Sequence, residues 1–221
     1  ENIGEKGLSV KKKRVKPKVN KLMKPEPQSI SIAEAVLRAS RPNFLLLTIA
    51  IIILGFSIAH HLGAELSPLK SVLIILSALF AHLAVNWLNE YQDFQSGLDS
   101  MTSKTPFSGG SGALINQPKA VKAVKFAVYA SLLIVVISGL MLVWLSDVLL
   151  IIFGLLGVLL IVSYTKYITR FPWLCLIAPG LAFGPIMVLG IIYSLTMELN
   201  LLAVLLSLIP SSITYSIITR L

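Results

Sequence analysis

Apolar residues fall into six long blocks along this chain: 44–62, 70–90, 122–145, 147–165, 173–195 and 199–219. A helix that crosses a bilayer needs about 20 mostly apolar residues. Lipid offers backbone polar groups no partners, so each block predicts a helix that satisfies its own backbone. Short polar or Pro-containing links separate most of the blocks. The exception is 91–121, which is polar and rich in Gly, Ser and Pro; a loop of that size carries function or lacks structure of its own. Pro179, Pro185 and Pro210 lie inside predicted spans, where proline can kink helices that line a cavity.

Ahead of the first block, Ser31 and Glu34 have capping-box spacing, with Ile30 placed as a staple residue. Ile32, Val36 and Leu37 can share one face. The segment 29–43 therefore predicts a short amphipathic helix, over about 32–40, lying on the membrane surface. Arg41-Pro42 ends it and starts the first span, because proline disfavours helix at the residue before it.

Charge fixes the orientation. Residues 1–43 hold eleven Lys/Arg and four Glu. With the N-terminus in the cytoplasm, eighteen of the nineteen Lys/Arg fall on the inside and only Lys70 outside. That asymmetry predicts an N-in, multi-pass protein of the cell (cytoplasmic) membrane, with loop 91–121 in the cytoplasm. The tail 1–28, which includes Lys11-Lys-Lys-Arg-Val-Lys-Pro-Lys18, reads as a disordered topology anchor against the anionic leaflet. The apolar body behind it argues against a nucleic-acid partner.

Composition agrees. The chain is 56% hydrophobic and 13% charged, against about 25% charged in soluble domains, and its mean hydropathy is +0.84. A soluble enzyme and a disordered chain are excluded. So is a disulfide scaffold, since Cys175 has no second cysteine to pair with. The fold class predicted is all-α, a polytopic transmembrane helical bundle with six spans in residues 44–221.

The candidate chemistry closes the second span, in Asn86-Trp-Leu-Asn89-Glu90-Tyr91-Gln92-Asp93-Phe94-Gln95-Ser96-Gly97-Leu98-Asp99. Asn86, Asn89 or Glu90, and Asp93 recur at three- and four-residue steps, on one helical face. Gly97 can end the helix in the left-handed conformation and let Asp99 fold back. Ionisable groups in a span are costly and mark function by default. Clustered carboxylates call for a cation, and Mg²⁺ prefers one or two carboxylates with phosphate oxygens and water. A magnesium–diphosphate site fits; a solvated helix end is the other reading.

The string Asn89-Glu-Tyr-Gln-Asp93-Phe-Gln-Ser-Gly-Leu-Asp99 resembles the first aspartate-rich motif of the UbiA superfamily of intramembrane prenyltransferases, in the spacing of its menaquinone-pathway, dihydroxynaphthoate-prenylating branch. Arg41-Pro42, Thr105-Pro-Phe-Ser-Gly-Gly-Ser-Gly-Ala-Leu114 and Phe183-Gly-Pro-Ile-Met-Val-Leu-Gly190 are similar to stretches of that family. The resemblance covers about residues 35–221. It implies a nine-helix bundle in which two aspartate-rich motifs, ending helices two and six, hold an isoprenyl diphosphate through Mg²⁺ while an aromatic acceptor captures the allylic cation. Carried over by position, Asn89, Asp93 and Asp99 are the first-motif metal ligands and catalytic residues. The chain departs from the pattern in having Glu90 where many relatives have Asp, and in lacking an acid within 171–180. The second motif and three further spans are expected beyond Leu221, so the chain reads as a fragment.

Arg41, Lys104, Asn86, Tyr164 and Lys166 are the candidate substrate-binding residues, with Arg41 and Lys104 placed to neutralise phosphate. Lys119, Lys122 and Arg170 lie near the same face. Each cation can equally serve topology and lipid headgroups, and Tyr164 can equally be an interfacial anchor. Thr105–Gly112 can form an anion-binding nest or a flexible loop. His60 and His61 read as interfacial. His82 shares the face of Asn89 and reads as a satisfied buried histidine. Asp147 and Glu198 read as solvated in outside loops. The competing functional class is a transporter or a non-catalytic membrane protein, including an inactive truncated homologue.

Overall fold

A computed structural model describes residues 30–97, 111–164 and 166–218. Among the described residues there are helices and no strands, and each of the six apolar blocks is helical. Helix α1 (Ile32–Ala39) is followed by α2 (Leu45–His61) and α3 (Pro68–Ser96). After a one-turn helix α4 (Ala113–Asn116) come α5 (Val121–Leu145), α6 (Leu150–Ser163), α7 (Pro172–Leu181), α8 (Met187–Thr196) and α9 (Leu201–Ile218). A π-helical turn, Ala182–Ile186, joins α7 to α8. Helices Ile32–His61, Pro68–Ser96, Pro118–Leu145 and Trp173–Thr196 are long and apolar enough to cross a membrane, while α6 and α9 are shorter apolar helices.

Local chemistry explains the boundaries. Ser31 caps α1 by accepting from the Glu34 N–H at 3.1 Å. The return half of the capping box is replaced by an ion pair, because the Glu34 carboxylate takes Arg38 at 2.6 Å. Arg41 then adopts a left-handed backbone, φ 50°, since Pro42 denies it the right-handed helical region. Helix α3 runs to Ser96, six residues past the predicted end of its span, because no breaker precedes Gly97; Gly97 stops it with φ 72°. The predicted fold-back of Asp99 lies outside the described residues.

Two clusters hold the bundle. The larger joins α2, α3 and α8 through Ile51, Ile52, Leu73, Val188, Ile191 and Ile192. Gly55 lets α2 and α8 approach: a Cβ there would sit 2.7 Å from Ile191 Cγ2. Gly184 does the same for the π turn against α9, where a Cβ would meet Ser211 Oγ and lie 2.6 Å from the Ser207 carbonyl. Pro179 and Pro185 remove two N–H donors near this turn, which matches a shifted hydrogen-bond register rather than a broken helix.

The smaller cluster is at the end of the bundle where α1 and α4 sit. Ala35 and Ala39 of α1 pack with Ala113 and Leu114 of α4 and with Val124 of α5, against Trp87, Tyr91 and Phe94. Small side chains thus seat the amphipathic helix on the body, while Ile32 and Leu37 stay exposed on its other face.

At the opposite end, Asp147 does more than the sequence predicts. Its Oδ1 accepts the Tyr193 hydroxyl at 3.0 Å and the Leu149 N–H at 2.7 Å. The Ser194 carbonyl beside it accepts both Lys70 Nζ, at 3.1 Å, and Ser146 Oγ, at 2.7 Å.

Candidate functional site

Between α2, α3, α5, α6 and the α7–α8 unit lies a cavity of about 460 Å³. Its walls are mainly aliphatic and aromatic, including Leu47, Ile74, Leu142, Phe153 and Phe183. Polar side chains enter the lining in a pattern. Helix α3 contributes His82, Asn86 and Asn89, at steps of four and three residues, so they descend one face of the helix. Arg41 and Tyr164 join Asn89 and Asn86 in the lining.

Asp93 follows Asn89 by one turn on that face. It is half-buried, and its charge and that of Arg41 both act on the Tyr164 hydroxyl. Arg41, Asn89 and Tyr164, from the α1–α2 joint, α3 and the end of α6, line one end of the cavity, and Asp93 lies one turn beyond Asn89. The Arg41 backbone is one of two non-glycine left-handed residues among those described. A left-handed non-glycine residue costs about 1–3 kcal/mol and persists where the surroundings dictate it. Here the Ser40 carbonyl is held by Asn86 Nδ2 at 2.9 Å, so α3 fixes the turn that presents the guanidinium.

Of the candidate residues, Arg41, Asn86, Asn89 and Tyr164 line the cavity together, and Asp93 is one turn beyond Asn89 on α3. Lys166 is not: it is exposed, with Nζ 5.3 Å from the centroid of the Tyr167 ring. Asp99 and Lys104 lie outside the described residues. Among the described residues no three His, Cys, Asp or Glu side chains converge. What the described face offers is one carboxylate, Asp93, and the amide oxygens of Asn86 and Asn89. Such oxygen donors suit a hard divalent ion that keeps water and phosphate in its shell.

Glu90 belongs to none of this. Its side chain is 0% exposed. Its carboxylate accepts the Ser111 N–H at 2.8 Å and the Leu114 N–H at 3.3 Å, so it caps the start of α4 and pins the returning chain to α3. Among the described residues no cation pairs with it. The sequence carried a signal for this: Trp87, Glu90, Tyr91 and Phe94 repeat at helical spacing, and Trp87 Nε1 donates to the Val36 carbonyl at 2.9 Å. The acid sits on the packed stripe, about 100° round the helix from Asn89.

The sequence model described as the UbiA prenyltransferase family matches residues 46–221. The 1,4-dihydroxy-2-naphthoate octaprenyltransferase of Bacillus subtilis (strain 168) is 26% identical over 191 residues, which is 82% of this chain and 58% of that protein. The chain thus spans under two thirds of the length of that relative. No solved structure matches the chain.

Proposed function

We propose, of a chain that belongs to the UbiA prenyltransferase family, that it transfers an isoprenyl chain from an isoprenyl diphosphate to an aromatic acceptor, in the manner of quinone biosynthesis, with Mg²⁺ as its metal. The observation that carries this reading is a polar mouth on an apolar cavity, with Asn89, Arg41 and Tyr164 on the lining and Asp93 one turn beyond. The relative named for naphthoate octaprenyl transfer supports the aromatic acceptor.

In this reading the ends of the substrate are sorted by solvent quality. The diphosphate stays at the mouth, where Arg41 neutralises charge and the Tyr164 hydroxyl donates. The hydrocarbon enters the cavity, and its burial is favourable by about 25 cal/mol per Å² of apolar surface. Asn89 and Asp93 would hold the metal, joined by Asp99, and Lys104 would add positive charge. When bound, Mg²⁺ screens the charge that builds on the departing diphosphate. The aliphatic and aromatic walls exclude water that would otherwise quench an allylic cation before the acceptor reaches it.

The test uses the full-length protein reconstituted in lipid nanodiscs with an isoprenyl diphosphate, 1,4-dihydroxy-2-naphthoate and Mg²⁺. Consumption of the diphosphate stops with EDTA. In Asp93→Asn it falls at least about 100-fold, the scale of lost electrostatic stabilisation at a reacting centre, with an unchanged melting temperature. Equal turnover in the variant refutes the assignment of Asp93.

A further inference from the structure

The polar face of α3 does not end at the mouth. His82 lies seven residues inward from Asn89, roughly 10 Å along the helix. Beyond it the same face turns apolar, with Ala78 and Ile74 on the lining. His82 is 7% exposed, and two neighbours hold its ring. Its Nδ1 is 2.6 Å from the hydroxyl of Thr48, a fully buried residue of α2. The Phe183 ring of the π turn meets it edge-on, with centroids 5.0 Å apart and planes at 65°.

This is more than a histidine satisfied in a core. Thr48 takes one ring nitrogen, and Nε2 has no hydrogen bond among the described residues. The ring borders the cavity, so a ligand that fills the inner cavity packs against the imidazole. A hydrocarbon there would leave a desolvated polar atom unpaired, which is costly. A hydroxyl or carboxylate would pair with it. Sites built to hydrogen-bond a substrate group discriminate strongly against analogues that lack it.

We infer that His82, oriented by Thr48 and Phe183, is a specificity-determining residue that binds an oxygen substituent of the aromatic acceptor and reserves this part of the cavity for it. The inference rests on the proposed function, which it deepens. It gives the two substrates separate determinants: the mouth for the diphosphate, and His82 for the ring substituent of the acceptor.

Equilibrium binding to the chain in nanodiscs tests it without requiring turnover. The probes are 1-hydroxy-2-naphthoate for the acceptor, 2-methylnaphthalene as its apolar counterpart, and dimethylallyl diphosphate with Mg²⁺ for the mouth. His82→Leu is expected to weaken hydroxynaphthoate binding by about five- to ten-fold, the worth of one hydrogen bond, and to leave dimethylallyl diphosphate binding as it was. His82→Gln, which can place a polar group near the position of Nε2, restores most of the affinity. Thr48→Val, which frees the ring, gives an intermediate loss. Methylnaphthalene binds His82→Leu at least as well as the wild type.

The inference is overturned if the wild type does not bind hydroxynaphthoate, or binds it no better than His82→Leu does. It is also overturned if Gln fails to rescue while Leu and Gln melt alike. Loss of dimethylallyl diphosphate binding that ignores Asp93 is a different failure, since it removes the proposed function itself.

Discussion

Asn89 and Glu90 are chain neighbours of similar size and polarity, yet they have opposite fates. Asn89 lines the cavity. Glu90 is sealed among Trp87, Tyr91 and Phe94 and spends its carboxylate on two backbone donors of the returning chain. One step along a helix turns a side chain by about 100°, and on α3 that step separates the face that lines the cavity from the face that packs the returning chain. An acidic motif is therefore not a ligand set. Phase on the helix decides which acids are available, and the buried acid outside the cavity is as demanding of its partners as any ligand.

The contrast is broken most directly by alanine at both kinds of acid. Glu90→Ala strands two amide donors, at about 1–3 kcal/mol for each group left unsatisfied, and is expected to lower the melting temperature sharply or prevent recovery of folded protein. Asp93→Ala is expected to melt like the wild type and to lose turnover. A Glu90→Ala protein that is stable but inactive would erase the distinction between the faces.

Arg41→Gly sharpens it at the joint between α1 and α2. Glycine adopts the left-handed backbone without strain, so the turn survives and stability is unchanged or slightly raised. The guanidinium is gone, and KM for the isoprenyl diphosphate is expected to rise about ten-fold, one charge-assisted hydrogen bond. A fall in stability with an unchanged KM would make Arg41 a purely structural residue.

The smallest effect is on the packed stripe. Trp87→Phe keeps the ring but loses the donor to the Val36 carbonyl. A loss of about 1 kcal/mol is expected in chemical denaturation, with KM and kcat unmoved.

Much of this arrangement was legible beforehand. The apolar blocks located the spans because lipid enforces continuous helix wherever a chain crosses it. Ser31, the Arg41-Pro42 break and the left-handed Gly97 followed from rules that act within a few residues. The step pattern of Asn86, Asn89 or Glu90, and Asp93 marks a polar face on α3; Asn86, Asn89 and His82 line the cavity there, while Glu90 is buried off it. The destination of Glu90 was harder, because it depends on where residues 111–114 return, a contact across more than twenty positions. The pairing of His82 with Thr48 joins two spans, so no local rule could give it. An aspartate at a helix end is usually solvated, which is what the sequence predicts for Asp147; the Tyr193 hydroxyl that reaches it arrives from a helix forty-six residues later.

The doubly used carbonyl of Ser194 carries a consequence for how the molecule tolerates change. A carbonyl oxygen has two lone pairs, and here Lys70 and Ser146 each occupy one, from different helices. Loss of either donor leaves the acceptor matched by the other, so this end of the bundle is fastened with redundancy. At the other end, among the described residues, the Ser40 carbonyl takes Asn86, and Glu90 takes two backbone donors at the start of α4. A single substitution at Lys70 or Ser146 is therefore cushioned by its neighbour, whereas loss of Glu90 leaves two amides to find new partners at once.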